Sequence, residues 1–145
     1  MTILFTFLLV LVADQLTKYL VVKNFAVGET MPLLENIFHF TYVKNQGAAF
    51  GILQGQRWFF IIITIAVLAA IIFFYKELPL HTIWNRIALG LAIGGAIGNL
   101  IDRVRVGYVI DFIDLRVWPV FNIADSSVVV AVAIFSYWLL IIDSN

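Results

Sequence analysis

Cysteine is absent from the 145 residues, so the chain can form no disulfide, no thiol nucleophile and no thiolate metal site. Histidine is scarce. Its two copies, His39 and His81, fall in separate polar segments, which leaves imidazole ligation of a metal little to work with. Charge is sparse as well: nine basic and nine acidic side chains cancel, so no net positive field draws nucleic acid or anionic lipid to the molecule as a whole. Also missing are the GxSxG elbow, Ser-x-x-Lys, HExxH and a phosphate-binding loop. Ser126 and Ser127 have no histidine or lysine near them in sequence, which argues against a serine nucleophile.

What remains is mostly hydrocarbon. Apolar residues make up 63% of the chain and charged ones 12%, with a mean hydropathy of +1.02, far beyond what a soluble domain of this size buries. The composition predicts an all-α membrane protein, with residues 1–145 as a single domain. About 20 residues at ~1.5 Å each cross a hydrocarbon core ~30 Å thick, and four segments approach that length. They are Ile3 to Val22; Trp58 to Tyr75, without a charge; a glycine-rich stretch from Ile87 to about Ile101, drawn on to 106; and Val120 to Ile142. The run from Ile3 to Ala13 does not read as a secretory signal. No basic segment precedes it, no small-x-small cleavage site follows, and Asp14 interrupts it, so a retained span is expected.

Four transmembrane helices put both termini on one side, so the loops 23–57 and 102–119 share the other. In the first of these, Asn36 to Val43 alternates, with Phe38, Phe40 and Tyr42 on one face and Ile37, His39, Thr41 and Val43 on the other, which predicts a strand. Gly47, Gly51 and Gly55 offer turns, so a small β-containing loop domain lying on the membrane beside the third loop is expected. Such a sheet can hold an extended peptide by strand addition, and an amphipathic cap at the interface fits the same pattern. Lys23, Lys44, Arg57, Arg103, Arg105 and Arg116 lie on the two-loop side, against Lys76 and Arg86 in the short loop. The positive-inside rule makes the two-loop side cytoplasmic, although Arg103, Arg105 and Arg116 sit among acids and read as ion pairs.

Those acids are the informative residues: Asp102 in GNLIDR, Asp111 and Asp114 in VIDFID, and Asp125 in FNIADSS. A carboxylate near hydrocarbon is costly unless paired, solvated or protonated, so its presence points to function. Asn99 and Asp102 are three apart, as are Asn122 and Asp125, so each pair projects from one helix face and the amide is expected to hold its neighbouring carboxylate. A polar clamp between the two helices is the alternative. Asp111 follows a flexible glycine in an apolar stretch, and the fourteen positions to Asp125 allow the loop to fold back and bring the two carboxyls together. At a separation of ~3 Å such a pair resists double ionisation, titrates as a unit and activates a water, as in aspartic-protease chemistry. Asp114, beside Arg116, reads as a solvated ion pair, and Asp14 with Lys18 as an i, i+4 pair neutralised by packing or anchoring something polar. Gly90, Gly94 and Gly98 form two GxxxG steps for close helix approach.

Taken together, Asp14-Gln15-Leu16-Thr17-Lys18, Asn45-Gln46-Gly47-Ala48-Ala49-Phe50, Gly98-Asn99-Leu100-Ile101-Asp102-Arg103, Val109-Ile110-Asp111-Phe112 and Phe121-Asn122-Ile123-Ala124-Asp125 resemble, in order, the motifs of bacterial lipoprotein signal peptidases (signal peptidase II). The resemblance implies a four-helix aspartic endopeptidase of the bacterial cytoplasmic membrane, with no metal and no cofactor. Its site would lie near the outer face, and its termini in the cytoplasm, against the charge count. Its partners would be membrane lipid and prolipoproteins whose cysteine already carries diacylglyceryl, cleaved just before that cysteine by a monomer. It implies Asp111 and Asp125 as the catalytic pair, Asn99, Asp102, Arg103 and Asn122 as a supporting shell, and Asp14, Lys18, Asn45 and Gly47 in motifs tied to structure or substrate contact. Apolar walls for a groove opening to lipid are expected from the glycines of helix three and the aromatics of helix two. The rival classes are a proton or ion pathway through Asp14, Asp102 and Asp125, and a structural adaptor using the GxxxG face.

Overall fold

The computed structural model describes residues 1–48 and 52–142. Helix α1 runs Thr2–Asn24, α2 Arg57–Phe73, α3 Ile83–Arg105 and α4 Ile123–Tyr137, the last continuing into a π-helical turn, Trp138–Ile142. Strands β1 (Thr30–Leu34), β2 (Phe38–Asn45) and β3 (Val109–Asp114) form one antiparallel sheet in the order β1-β2-β3. Each expected span therefore contains a helix. By length and composition, α1, α3 and the stretch Ile123–Ile141 are long and apolar enough to cross a membrane, while α2 at 17 residues is shorter.

The helix ends follow local chemistry. The Thr82 hydroxyl caps α3 by accepting the Asn85 N–H at 3.1 Å. At the other end, the N–H groups of Val106 and Gly107 both return to the Asp102 carbonyl, and Gly107 takes φ 88°, a left-handed conformation that a glycine adopts without strain. That turn delivers the chain directly into β3.

Helix α1 buries Thr6, Val10, Asp14, Lys18 and Val21, a single stripe at helical spacing. The matching stripe on α3 is Gly90, Gly94 and Gly98. A Cβ on them would meet Thr6 Cβ at 2.7 Å, Val10 Cβ at 2.9 Å and Asp14 Oδ2 at 2.6 Å respectively, so the two GxxxG steps are where α1 lies against α3. Gly95 faces the other way, and there a Cβ would collide with the Ala124 carbonyl of α4. Helix α2 contrasts with these three, burying only Ile61.

The expected strand is β2, and the sheet includes two strands that flank it. Val43 pairs with Asp111 and Asn45 with Val109. Phe40 and Tyr42 pack with Val21, Ile110 and Phe112 where the sheet meets the end of α1. The chain beyond β3 turns back on itself: Phe121 accepts the Phe112 and Ile113 N–H groups at 3.0 and 2.8 Å and donates to the Ile113 carbonyl at 3.1 Å. This fold-back fixes Asn122 as the cap of α4 beside Asp111. Gly55 takes φ 78°, as a turn glycine does; Gly51, expected in the same role, lies outside the described residues, as do Ala49 and Phe50.

Candidate active site

Asp111 comes from β3 and Asp125 from the first turn of α4. Both line one cavity of about 460 Å³, together with Asn45, Gly47, Asn99 and Arg103. Two asparagines join the acids. Asn122 Nδ2 donates to Asp111 Oδ1 at 2.7 Å and to Asn99 Oδ1 at 3.1 Å, while Asn99 Nδ2 donates to Asp125 Oδ1 at 2.7 Å. Asn45 Nδ2 adds a bond to Asp111 Oδ2 at 2.8 Å. Each acid therefore takes its amide from a different segment: Asp125 from α3, and Asp111 from the α4 cap and from β2.

This corrects the pairing expected within each Asn-x-x-Asp. Asn122 and Asp125 do interact, but as a capping box, in which Asn122 Oδ1 accepts the Asp125 N–H at 2.9 Å and Asp125 Oδ2 accepts the Asn122 N–H at 3.3 Å. Asn99 and Asp102 part company altogether. Asp102 faces α1, where its Oδ2 pairs with Lys18 Nζ at 2.8 Å and accepts the Ile110 N–H at 3.2 Å.

Behind the cavity lies a closed polar cluster. Lys18, 1% exposed, spends its three ammonium donors on Asp14 Oδ2 at 2.9 Å, Asp102 Oδ2 at 2.8 Å and Asn99 Oδ1 at 2.9 Å. Asp14 in turn accepts the Ala124 N–H at 3.0 Å, tying α1 to the start of α4. The neutralised-packing interpretation of Asp14 and Lys18 holds. Because Lys18 occupies the Asn99 oxygen, the Asn99 nitrogen must face Asp125. Gln15, not singled out from the sequence, bridges Asp14 Oδ2 at 3.2 Å, the Gly98 carbonyl at 3.2 Å and Asp102 Oδ1 at 3.1 Å. Its place in the first motif was its only signal, since one step from Asp14 puts it off that residue's face. The acids gather in one cluster instead of forming a file across the bilayer, which disfavours the proton-pathway class.

Asp111 is 1% exposed. Burial, and next the charge of Asp125, push its pKa up to about 7, against the pull of the Asn45 and Asn122 hydrogen bonds. It therefore keeps a proton close to neutrality. Arg103 brings a cation to the cavity, its guanidinium over the Phe60 ring at 4.8 Å and one Nη donating weakly to the Gly47 carbonyl at 3.4 Å. Gly47 has no room for a side chain, as a Cβ would sit 2.6 Å from the Ile52 carbonyl.

Further expectations meet the structure here. Asp114 does pair with Arg116, whose side chain is 47% exposed, but the carboxylate itself is buried: its Oδ2 accepts from Thr41 Oγ1 at 2.7 Å and Arg116 Nη1 at 3.1 Å, and its Oδ1 accepts the Arg116 N–H at 2.8 Å. Burial raises that carboxyl, but these bonds outweigh it and leave its pKa below the ordinary value. The cavity walls include Gly95 and Ala96 of α3, away from the stripe that meets α1, and Val128 and Val129 of α4; α2 contributes Ile63, Thr64 and Val67 in place of the expected aromatics, which come instead from Trp118 and Phe121. The hydroxyls of Ser126 and Ser127 donate to the Asn122 and Ile123 carbonyls, so neither is aimed as a nucleophile. His39 and His81 remain apart, the latter edge-on to Trp138 at 5.3 Å, and among the described residues no three acids or histidines gather as a metal site.

A family model described as signal peptidase (SPase) II matches residues 6–141. The chain belongs to the signal peptidase II family. Among its relatives, the lipoprotein signal peptidase of Halothermothrix orenii is 49% identical over 133 residues, 91% of this chain and 90% of the relative. That of Bacillus subtilis is 45% identical over 138 residues, 92% of this chain and 90% of its own. A bacterial membrane enzyme solved in meso at 2.3 Å superposes with a TM-score of 0.90 at 38% identity, covering 96% of this chain and 87% of that one. Family membership fits a site built from all four matched segments that lie within the described residues and from the described part of the fifth.

Proposed function

We propose that this chain is an aspartic endopeptidase of the bacterial cytoplasmic membrane that removes signal peptides from diacylglyceryl-modified prolipoproteins, cutting just before the lipidated cysteine. The observation that carries the reading is the pair Asp111 and Asp125, each held by a crossed amide at the edge of one cavity. With Asp111 holding a proton and Asp125 ionised, Asp125 takes a proton from water as it attacks the scissile carbonyl, and Asp111 gives its proton to the carbonyl oxygen. Fixed donors on both acids mean that little reorganisation accompanies the step. Metal or cofactor has no role in this scheme.

The reading takes α2 as a fourth span beside the three helices long and apolar enough to cross; its 17 residues sit at the lower limit of about 17 for crossing the hydrocarbon core. The sheet then lies on the outer face of the membrane and both termini in the cytoplasm. Residues on two walls of the cavity are also exposed to the surroundings, Ile63 at 48% and Val129 at 68%, which favours entry of a lipid-borne peptide sideways from the bilayer between α2 and α4. Acyl chains that partition into lipid deliver the peptide bond to the interface, where β2 and Asn45 await it. One protomer supplies every residue invoked, so a monomer suffices. The test is cleavage of matched precursors with and without the diacylglyceryl group by purified protein in lipid. Cutting before the modified cysteine, and only there, is expected; equal cutting of the unlipidated precursor would sink the substrate assignment.

A further inference from the structure

The end of the molecule away from the sheet carries a second cavity, of about 480 Å³, which the cleavage mechanism does not use. It lies between the start of α1 and the segment joining α2 to α3, and is lined by Thr2, Tyr75, Lys76, His81 and Arg86 among others. Among the described residues no carboxylate lines it; Glu77 follows Lys76 in the chain but is not in the wall. The site is held in shape. Arg86 Nε donates to the Leu80 carbonyl at 2.6 Å, which fixes the guanidinium plane and leaves its Nη atoms to donate elsewhere. The buried Asn85 amide donates to the Pro79 carbonyl at 2.6 Å and pins the same segment. Among the described residues neither Lys76 nor Arg86 enters an ion pair.

Lys76 and Arg86 are both exposed and, among the described residues, neither has a carboxylate partner, so the polar hollow presents positive charge to an anion. The surroundings say what kind. Tyr75 lines the cavity, and the exposed Phe73 and Trp84, 79% and 65%, lie two positions in sequence from its lining residues Tyr75 and Arg86; aromatics of this kind sit at headgroup level. Helix α2 leaves nearly all its apolar surface uncovered along the way, so acyl chains can lie against it. The structure assigns this cavity to the phosphate of an anionic phospholipid of the leaflet that meets the α2–α3 connection, held by Lys76 and Arg86, with its chains along α2. The assignment rests on the membrane placement proposed above. Its effect would be to brace α2, the helix whose Ile63, Thr64 and Val67 wall the catalytic cavity.

The experiment uses the full chain, delipidated in uncharged detergent, titrated with phosphatidylglycerol, with phosphatidylcholine of the same chains, or with inorganic phosphate. Thermal unfolding and native mass spectrometry report binding. Phosphatidylglycerol alone should raise the unfolding temperature and appear as one retained lipid. Lys76→Gln should raise the half-effect concentration roughly tenfold, as expected for loss of one charge-assisted hydrogen bond, and Lys76→Gln with Arg86→Gln should abolish the response. Equal protection by phosphatidylcholine, full protection by inorganic phosphate, or an unchanged response in Lys76→Gln would each overturn the assignment. Should the double variant fail to fold, Lys76→Gln decides. Cleavage of lipidated precursor by the same preparation tests the proposed function separately: lipid selectivity without cleavage defeats that function and leaves the lipid site standing.

Discussion

The seam of α1, α3 and α4 and the solitary helix α2 are built on opposite rules. Along the seam, backbones approach over glycines and the buried side chains include Asp14, Lys18, Asp102 and Asn122. Helix α2 has no charge beyond its first residue and buries one side chain. In this protein the greasiest helix is the least packed, and the polar residues mark the interior. Lipid accounts for the inversion, because a leucine gains nothing by leaving lipid tails for another helix, whereas an unpaired charge loses heavily by facing them.

The comparison breaks hardest at the dyad. Asp111→Asn and Asp125→Asn should each lower cleavage by about 10²–10⁴-fold while the protein stays folded and inserted, since each removes a proton donor or acceptor from the attack. Turnover near the parent rate by either folded variant would end the assignment. Next comes Lys18→Met, which leaves Asp14 and Asp102 unpaired and releases the Asn99 oxygen. A stability loss of about 3–5 kcal/mol is expected from chemical unfolding in detergent. A loss below 1 kcal/mol, on the order of a surface pair, would show that the cluster is not the interior it is taken to be.

The pH profile sharpens the contrast without mutation. Asp111 titrates near 7 in the fold and near ~3.9 when unfolded, so its proton is required below the higher value and lost above it. Cleavage should fall about tenfold per unit on the alkaline side of 7, with a second fall in acid as the remaining carboxylate protonates, giving a bell. The same shift makes Asp111 cost stability as pH rises from the unfolded value through about 7. Asp111→Asn should therefore gain stability relative to the parent between pH 4 and pH 8, measured by thermal unfolding at each. Asp114→Asn weakens the bonds that join β2 to the turn after β3, and should cost about 1–2 kcal/mol with most activity retained. Smallest of all, Ile62→Ala on α2, where Ile62 is 64% exposed, should change stability by less than about 0.5 kcal/mol.

The inversion also explains which parts of the molecule were legible in the sequence. Hydrophobic length located every helix to within a few residues, and strand alternation located β2, because both are local patterns. The ordered motifs singled out Asp111 and Asp125, which the fold brings to one cavity, together with Asn99 and Asn122, which bond them. The wiring was not legible: Asn99 serves Asp125 and Asn122 serves Asp111 because α3, α4 and β3 converge, and sequence spacing within one helix carries no record of that. The ion pair of Asp114 with Arg116 was legible as a neighbour contact, but its hydrogen bond from Thr41, far away on β2, was not. Which α2 residues wall the cavity depends on how that helix is rotated, which a helix apolar on every side does not encode.

One local feature joins these themes. The box that starts α4 is made of Asn122 and Asp125, so the residues that begin the helix are also those that hold and form the dyad. Unseating the start of α4 therefore disturbs both acids at once, because the same turn carries Asp125 and the Asn122 amide that bonds Asp111.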